Sequence, residues 1–451
     1  MKRLGVLLTT AAGILLVPAV QAGPSLAVQD VSQDSETAAV TVSYKLTGAA
    51  AVVTVDIQTN AGGSVWVSIG GERLRHWAGD VNRLVAADAD KVRIARWIAD
   101  EDWPGFVLDD SKVRAVVKAW PQDDPPDYMV VDSSAPSNVN YYATADALPQ
   151  GVTDRLYKTE RFVLRRIHAA DVVWMMGSPT TEPGRNATIE GLRPVKLTSD
   201  YYLGVYPVTQ VQWQRRMNAN PSAFKTGTDY LLHPVENVSW SDLRGGDWVA
   251  DGHDNLPGGT FMSSLRNLTG VKFDLPTSAQ WEYACRAGTM TSLYSGVSPT
   301  YTTITSDYDY SDETDSVAWN YHNNADDPDC VTNKNGFATH IVGKKPANPW
   351  GLYDMLGNTG DLCLDWFEQP VPASSVLQID PAGAAQAQDA THGRLWRGGD
   401  SCSGTQGSRL RAARIFAQNG NTASWSCSFV GFRLACPAVA VGSFVNEGGA
   451  Q

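Results

Sequence analysis

The sequence predicts two folded parts: an N-terminal all-β sandwich, and after it an α+β domain rich in irregular structure. Three observations support this division. Short runs of alternating apolar and polar residues fill the first part, a strongly capped helix lies in the second, and all six cysteines come after residue 280. A chain of 451 residues has room for two or three domains of ordinary size.

The alternating runs of the first part predict its strands, at 39–44, 51–57, 65–69 and 113–117. Glycine, asparagine and aspartate residues separate these runs, and this spacing is typical of an antiparallel sandwich. Because the Cys…Trp…Cys pattern of antibody domains is absent, a fibronectin-like sandwich is a closer analogy than an immunoglobulin domain. We expect residues 23–132 to form this domain and to act as a spacer or adhesion module.

The remaining boundaries follow from composition. The polar stretch "DSSAPSNVN" predicts a linker, which we place at 133–154. The second domain is expected at 155–436, and a tail at 437–451.

The clearest helix of the second domain starts after Thr277, a good N-cap residue, and Gln280 completes a capping box. Gly288 is placed to end the helix. Trp281 is expected to anchor the core, while Glu282 and Arg286 are spaced to pair on another face of the helix.

The first 22 residues resemble a secretory signal peptide, with Lys2-Arg3, an apolar run and a small residue at position 22. The apolar run is too short to span a bilayer comfortably, although a retained anchor is the alternative. We expect an exported protein, secreted, periplasmic or at the cell surface, without a membrane span after cleavage. In such a compartment six cysteines allow up to three disulfide bonds. The net charge of −12 argues against a nucleic-acid partner.

One turn has the residues of a cation site. Asp354 and Asp361 bracket a glycine-containing turn, and their carboxylates could combine with the carbonyls of Gly357 and Thr359. Calcium prefers such a shell of oxygen ligands. An ordinary surface turn has the same composition, so the spacing leaves both interpretations open.

Eight motifs in a fixed order resemble those of the formylglycine-generating enzyme, or sulfatase-modifying factor, superfamily. They are "WMMGSP" (174–179), "DYYLGVYPVTQVQW" (200–213), "HPVENVSW" (233–240), "FDLPTSAQWEYACRAGT" (273–289), "GLYDMLGNTGDLCLDWF" (351–367), "RLWRGGD" (394–400), "LRAAR" (410–414) and "GFRLA" (431–435). The resemblance covers about residues 155–436 and implies the C-type-lectin-like fold of that superfamily.

The resemblance also implies two calcium sites. The ligands of the first would be the side chains of Asp354 and Asp361 and the carbonyls of Gly357 and Thr359. The ligands of the second would be Asn320, Asn335 and the carbonyls of Tyr321 and Phe337. The chain departs from the family at the first site, since a Gly-Asp-Leu run at 360–362 replaces the usual Trp-Glu-Trp.

The enzymes of this superfamily oxidise a substrate cysteine to formylglycine, using oxygen and a copper(I) ion held by two cysteines. The matching loop of this chain has one cysteine, Cys402, which lies one position early, and Asp400 replaces a serine. We therefore expect the copper centre to be absent and Cys402 to form a structural disulfide, with Cys427 or elsewhere. The alternative is an active enzyme in which Cys402 is catalytic and a sulfatase polypeptide is the substrate.

The loops 400–408 and 415–430 contain small polar residues and isolated aromatic rings, as adaptable contact surfaces do. They predict a binding surface for an unknown protein or glycan, unless the loops have merely drifted in a protein without activity. The candidate binding residues are Asp400, Gln406, Phe416, Trp425 and Phe429. Arg397, Arg411 and Arg414 could line a cleft beside them, but such residues are more often structural ion pairs.

Overall fold

The structure is a computed structural model. It describes residues 23–60, 62, 64–105, 112–134, 138–246, 256–299, 311–324, 338–401, 409–420 and 422–442. The signal peptide expected at 1–22 lies outside these residues.

The N-terminal region is mostly β. Its elements are β1 (Ser25–Gln33), β2 (Val40–Thr47), β3 (Ala51–Thr59), β4 (Val67–Ser68), β5 (Trp77–Gly79), β6 (Arg83–Val85), β7 (Asp88–Trp97), the short helix α1 (Ala99–Asp102) and β8 (Val113–Pro121). All four strands expected from the alternating pattern are present, as β2, β3, β4 and β8.

These strands form two sheets. One has the order β1-β2-β7-β5, and in the other β3 pairs with β4, β6 and β8. Along β2, fully buried residues alternate with partly buried ones. Val42 and Tyr44 of β2 share one hydrophobic cluster with Val53 and Ile57 of β3, so the two sheets have a common core.

The C-terminal region is α+β. Its elements are β9 (Tyr128–Asp132), β10 (Val139–Tyr142), α2 (Leu156–Thr159), β11 (Arg161–Ile167), β12 (Val173–Met176), β13 (Arg193–Lys196), β14 (Tyr201–Gly204), α3 (Gln210–Met217), α4 (Trp240–Arg244), α5 (Phe261–Thr269), α6 (Ser278–Arg286), α7 (Asp312–Val317), β15 (Gly360–Trp366), β16 (Gln378–Ile379), β17 (His392–Arg397), β18 (Ile415–Asn419), β19 (Val430–Gly431) and β20 (Ala435–Pro437).

A five-stranded antiparallel sheet has the order β10-β9-β11-β14-β20. This sheet contradicts the linker predicted at 133–154, because β10 lies inside that range and pairs with β9. It also contradicts the predicted end of the N-terminal sandwich at residue 132, because β9 belongs to this sheet. The physical reason is burial: Tyr141 of β10 is fully enclosed in the core, although polar residues flank this short strand in the sequence.

The N-terminal region packs directly against this sheet. Val52 and Leu84 belong to the same hydrophobic cluster as Met129 and Tyr141. The amide of Tyr141 also donates a hydrogen bond to the carbonyl of Asn82, at 2.7 Å. A shared apolar core joins the two regions where the sequence predicted a linker.

The start of the expected tail is also packed. Ala438 and Ala440 are buried in that cluster, and the Ala440 amide donates to the carbonyl of Gln122, at 2.7 Å. Residues 443–451 of the tail lie outside the described part of the chain.

Two smaller sheets carry the loops of interest. One has the order β12-β13-β16, and the other β18-β17-β15-β19. The turn containing Asp354 leads into β15, and the loop with Asp400 follows β17. The expected loop 415–430 is partly a strand, because β18 contains Phe416, and Trp425 and Phe429 lie in the loop that follows it. Strand β15 therefore connects the expected calcium turn with the sheet that supports both loops.

Helix α6 confirms the capping prediction. The side chain of Thr277 accepts a hydrogen bond from the Gln280 amide, and the Gln280 side chain accepts one from the Thr277 amide. Trp281 is fully buried, and Glu282 accepts a hydrogen bond from Arg286, at 2.9 Å. The helix ends at Arg286, since the next residue adopts a left-handed conformation ahead of the expected glycine.

The expectation of disulfide bonds is wrong for the four described cysteines, which are all free thiols. Cys285 and Cys363 are enclosed in one hydrophobic cluster and Cys436 in another, where they pack as small apolar side chains. Cys427 is free as well, so it makes no bond to Cys402. Cys330 and Cys402 themselves lie outside the described residues.

Among the helices that the structure describes, none has both the length and the apolar character needed to cross a bilayer.

Candidate functional site

The turn that leads into β15 is fixed by backbone contacts on two sides. The side chain of Asn358 donates to the carbonyl of His340 at 3.1 Å and accepts from the His340 amide at 2.9 Å. Its own amide donates to the carbonyl of Trp319, at 3.0 Å. Gly357 has a φ of 76°, and a Cβ there would lie 2.2 Å from the Trp319 carbonyl oxygen, so only glycine fits. The sequence reasoning did not single out Asn358, although it lies in the Gly-Asn turn.

Asp354 is only 2 % exposed, and its carboxylate already serves local donors. Its Oδ2 accepts a hydrogen bond from the Gly343 amide at 2.6 Å, and its Oδ1 faces the Asn358 amide nitrogen at 3.4 Å. Burial raises the pKa of this carboxyl, while the Gly343 amide and the Arg433 guanidinium oppose the rise. The side chain therefore ties the turn to the segment around residue 343.

Asp361 has a different role, as the buried partner of Arg433. Its Oδ2 accepts from Arg433 Nε at 2.7 Å and from Trp281 Nε1 at 2.8 Å. Its Oδ1 and the hydroxyl of Thr359 are both buried and have no hydrogen-bond partner within the described residues. Asp361 Oδ1 can therefore accept one more donor or cation, although the adjacent guanidinium already balances its charge.

The two expected calcium sites are thus only partly assembled from the described side chains. At the first, Asp361 offers an open oxygen, whereas both oxygens of Asp354 face N–H groups. At the second, Asn320 Oδ1 accepts from the His322 amide at 2.8 Å, and Tyr321 lies beside it in the chain. Asn335 and Phe337 lie outside the described residues.

In the described part of the chain, no three His, Cys, Asp or Glu side chains come together as possible metal ligands. Backbone carbonyls would therefore have to supply much of any calcium shell.

The arginines of the family motifs are structural. Arg397 is fully buried, and its Nη1 donates to Glu282 at 2.9 Å. Arg411, also fully buried, pairs with Glu190 at 2.8 Å, and Arg414 lies 3.6 Å from the same carboxylate. Such pairs need good geometry to offset desolvation, and both carboxylates accept several hydrogen bonds. These arginines hold the loops in place through their ion pairs with buried carboxylates.

The three candidate aromatic residues of the loops pack against one hydrophobic cluster, and we call them the aromatic cluster. The Phe416 ring stacks on Trp396 with 4.0 Å between ring centroids and 8° between planes, and Phe429 lies 6.0 Å from the same tryptophan. Phe416, Trp425 and Phe429 are partly buried against the largest hydrophobic cluster. The structure therefore places two of the five predicted binding residues, Phe416 and Phe429, on one tryptophan, and Trp425 packs against the same hydrophobic cluster. Asp400 is buried, and Gln406 lies outside the described residues.

Cys427 lies in the same loop, next to two carboxylates. Burial raises the pKa of its thiol to about 12, and the charges of Asp400 and Glu236 oppose ionisation further. Copper(I) binds thiolates, whereas this environment favours the protonated thiol. Cys402, the candidate catalytic residue, lies outside the described part of the chain.

Glu236 is a residue that the sequence reasoning missed. It is fully buried, its Oε1 accepts from the amides of Ala223 (2.7 Å) and Phe224 (3.0 Å), and its Oε2 has no partner in the described residues. Burial raises the pKa of this carboxyl to about 7. The one feature of the sequence that could have indicated its burial is the position of this glutamate between the two valines of "HPVENVSW".

Comparisons with known proteins agree with this architecture. The family model "Sulfatase-modifying factor enzyme 1-like domain" matches residues 166–438. "Chaperone protein LppX" of Paenibacillus barcinonensis is 30% identical over 210 residues, which cover 41% of this chain and 69% of that protein. The formylglycine-generating enzyme of Bos taurus is 28% identical over 207 residues, covering 45% of this chain and 44% of the enzyme.

Among solved structures, "Treponema denticola variable protein 1" is 27% identical, with a TM-score of 0.43, and the match covers 61% of this chain and 95% of that one. The chain spans less than half of the bovine enzyme, whose activity therefore does not transfer directly. The family model, in contrast, covers more than half of the chain, and it confirms the resemblance carried by the eight motifs. The chain belongs to the sulfatase-modifying factor enzyme 1-like domain family.

Proposed function

We propose that this protein is an exported binding protein that recognises a polypeptide through the aromatic cluster of Phe416, Trp425 and Phe429, without a copper cysteine-oxidase centre. A fibronectin-like sandwich would precede a C-type-lectin-like recognition domain that calcium stabilises. The N-terminal sandwich would act as a spacer before the recognition domain.

The observation that carries the proposal is the anchoring of these rings. Phe416 stacks on the buried Trp396, and Phe429 packs near it, so their positions are fixed before any partner arrives. Aromatic side chains that are already ordered lose little entropy on binding, and they dominate the binding energy of many interfaces. Partial exposure leaves part of each ring available to a partner.

The thiol chemistry supports binding over oxidation. A copper(I) centre needs two thiolates, and the loop 400–408 contains one cysteine. Burial holds the thiol of Cys427 in its protonated form. The remaining described cysteines are enclosed in hydrophobic clusters.

A polypeptide is favoured over a glycan as the partner, because one relative of this chain is named a chaperone. Calcium would act on stability: the open Oδ1 of Asp361 and the carbonyls of Gly357 and Thr359 are the donors that the first site offers. An ion bound only to the folded state would stabilise the loops that follow β17 and β18.

The test is binding of a permanently unfolded, carboxymethylated polypeptide, measured by tryptophan fluorescence and calorimetry. Trp425→Ala and Phe416→Ala should each weaken binding about tenfold or more, as expected for central aromatic contacts. Trp66→Ala is the matched control, a partly buried tryptophan in the N-terminal region, and should leave the affinity unchanged. Equal affinity of all variants would refute the role of the cluster.

The alternative function is formylglycine generation, which the similarity to the bovine enzyme favours. Purified protein with copper(I) would then convert the cysteine of a C-x-P-x-R peptide to formylglycine, and Cys402→Ser would abolish the reaction. Mass spectrometry of the peptide distinguishes the two functions, since conversion contradicts our proposal.

A further inference from the structure

A cavity on the opposite face of β17 and β18 from the aromatic cluster has the features of a small-molecule site. Its volume is about 520 Å³, and it lies between β13, β16, the end of β15 and the loop 370–374. Cavities that hold small ligands have volumes of this order and combine apolar walls with a few polar groups. The apolar part of this wall includes Met176, Leu395 and Ile415.

Arg193 supplies a buried positive charge to this cavity. It is 8 % exposed and donates to the carbonyl of Gly191 (3.0 Å), to Gln378 Oε1 (3.0 Å) and weakly to the sulfur of Met176 (3.5 Å). These acceptors are neutral, and they use three of its five N–H groups, so two have no partner in the described residues. A guanidinium with two open N–H groups fits a carboxylate, which it can bind with two parallel hydrogen bonds.

Two carboxylates line the same cavity. Asp365 is 3 % exposed, and its Oδ2 accepts from the Ser278 amide at 2.6 Å. In the described part of the chain, its Oδ1 accepts a hydrogen bond from no other residue. Glu368 is exposed at the edge of the cavity.

Gly383 keeps the space beside Asp365 open. A Cβ at this position would lie 2.9 Å from the Cβ of Asp365 and 3.3 Å from its Oδ1. A side chain here would therefore crowd the carboxylate and reduce the cavity. Burial raises the pKa of Asp365 to about 6, and an ammonium group placed beside it would reverse that rise.

We infer that this cavity binds a small aliphatic zwitterion, a free amino acid or short peptide, with its carboxylate on Arg193 and its ammonium on Asp365 and Glu368. Each charge of the ligand would meet a side chain of opposite charge that forms no ion pair with any other residue the structure describes. The hydrocarbon part would pack against Met176 and Leu395. This site is separate from the aromatic cluster and does not depend on the proposed function.

The experiment compares three compounds by calorimetry with the full chain: L-leucine, 3-methylbutylamine, which lacks the carboxylate, and 4-methylpentanoate, which lacks the ammonium. Leucyl-leucine is the peptide probe. A zwitterion should bind at least about tenfold more tightly than either single-charge analogue, because each charge contributes a charge-assisted hydrogen bond. Equal binding of 4-methylpentanoate and leucine would show an anion site and overturn the inference, as would absence of binding by both zwitterions.

Two variants test the assigned groups. Arg193→Met should weaken leucine binding at least about tenfold, through the lost contact to the carboxylate. Glu368→Gln, at an exposed position, should weaken leucine binding and leave 4-methylpentanoate binding unaffected. Glu160→Gln is the control, an exposed glutamate outside the cavity, and should bind leucine as the wild type does. Unchanged leucine binding in both Arg193→Met and Glu368→Gln would overturn the assignment.

Discussion

Replacing Glu236 by glutamine should change how the stability of this protein depends on pH. The carboxyl is fully buried, and its Oε2 has no hydrogen-bond partner among the described residues. Burial raises its pKa from 4.5 to about 7, and the amides of Phe224 and Ala223 and the charge of Lys225 only partly oppose this. Ser222 also favours the charged form slightly, but its hydroxyl makes no hydrogen bond to Oε2.

The sign follows from the raised pKa. The folded protein holds a proton on Glu236 that the unfolded chain releases near its ordinary pKa of 4.5. The contribution of Glu236 to the free energy of unfolding is therefore fully present below pH 4.5 and is lost as the pH rises through about 7. Each unit of pKa shift corresponds to about 1.4 kcal/mol, so the loss between pH 5 and pH 8 is about 2.5 kcal/mol. For a domain of this size, that loss lowers the melting temperature by about 4 °C.

The assay is urea and thermal unfolding of wild type and Glu236→Gln at several pH values from 5 to 8. Glutamine keeps an oxygen for the two amides and carries no charge. The free energy of unfolding of the variant should therefore increase relative to that of the wild type as the pH rises. Glu160→Gln, at an exposed site, controls for the substitution itself. If the difference in unfolding free energy between wild type and Glu236→Gln stays constant over this range, the carboxyl is not desolvated and the reasoning fails.

Three further predictions concern the framework. Glu282→Gln leaves the buried guanidinium groups of Arg397 and Arg286 without the carboxylate that they share. It should lower the free energy of unfolding, measured in urea, by about 3–5 kcal/mol, whereas Glu160→Gln should lower it by less than about 1 kcal/mol. Similar losses at both sites would contradict the role of burial. Chelation of calcium should lower the melting temperature of the wild type but not of Asp361→Asn, because this variant loses the carboxylate whose Oδ1 is open and a bound ion stabilises only the folded state; a wild-type melting temperature that stays the same with chelator and with added calcium would exclude the site. The three thiols enclosed in hydrophobic clusters should resist alkylation at pH 8 in the native protein and react in urea, as mapped by mass spectrometry, and labelling without denaturant would disprove their enclosure.

Much of the local structure could be predicted from the sequence. The alternating runs that became β2 and β3 encode their own faces, since neighbouring side chains point to opposite sides of a strand. The box formed by Thr277 and Gln280 is likewise complete within four residues, so α6 starts where expected. Strand β10 was missed, because only four residues between polar segments signal it.

The site residues divide in the same way. The motifs located the turn with Gly357 and the loops with Phe416 and Phe429, which the structure does bring onto one tryptophan. Motifs could not tell that Asp361 would pair with Arg433, 72 positions later. Nor could they tell that the chain would enclose Glu236 without a second partner.

The sequence alone determined the family, the strand pattern and the capped helix, because these depend on neighbours along the chain. Only the tertiary structure decided which carboxylates are neutralised, which thiols are enclosed and where a cavity remains beside Arg193. Those properties depend on desolvation and on contacts between segments far apart in the chain. Their energies are set by packing in three dimensions and leave no periodic trace in the sequence.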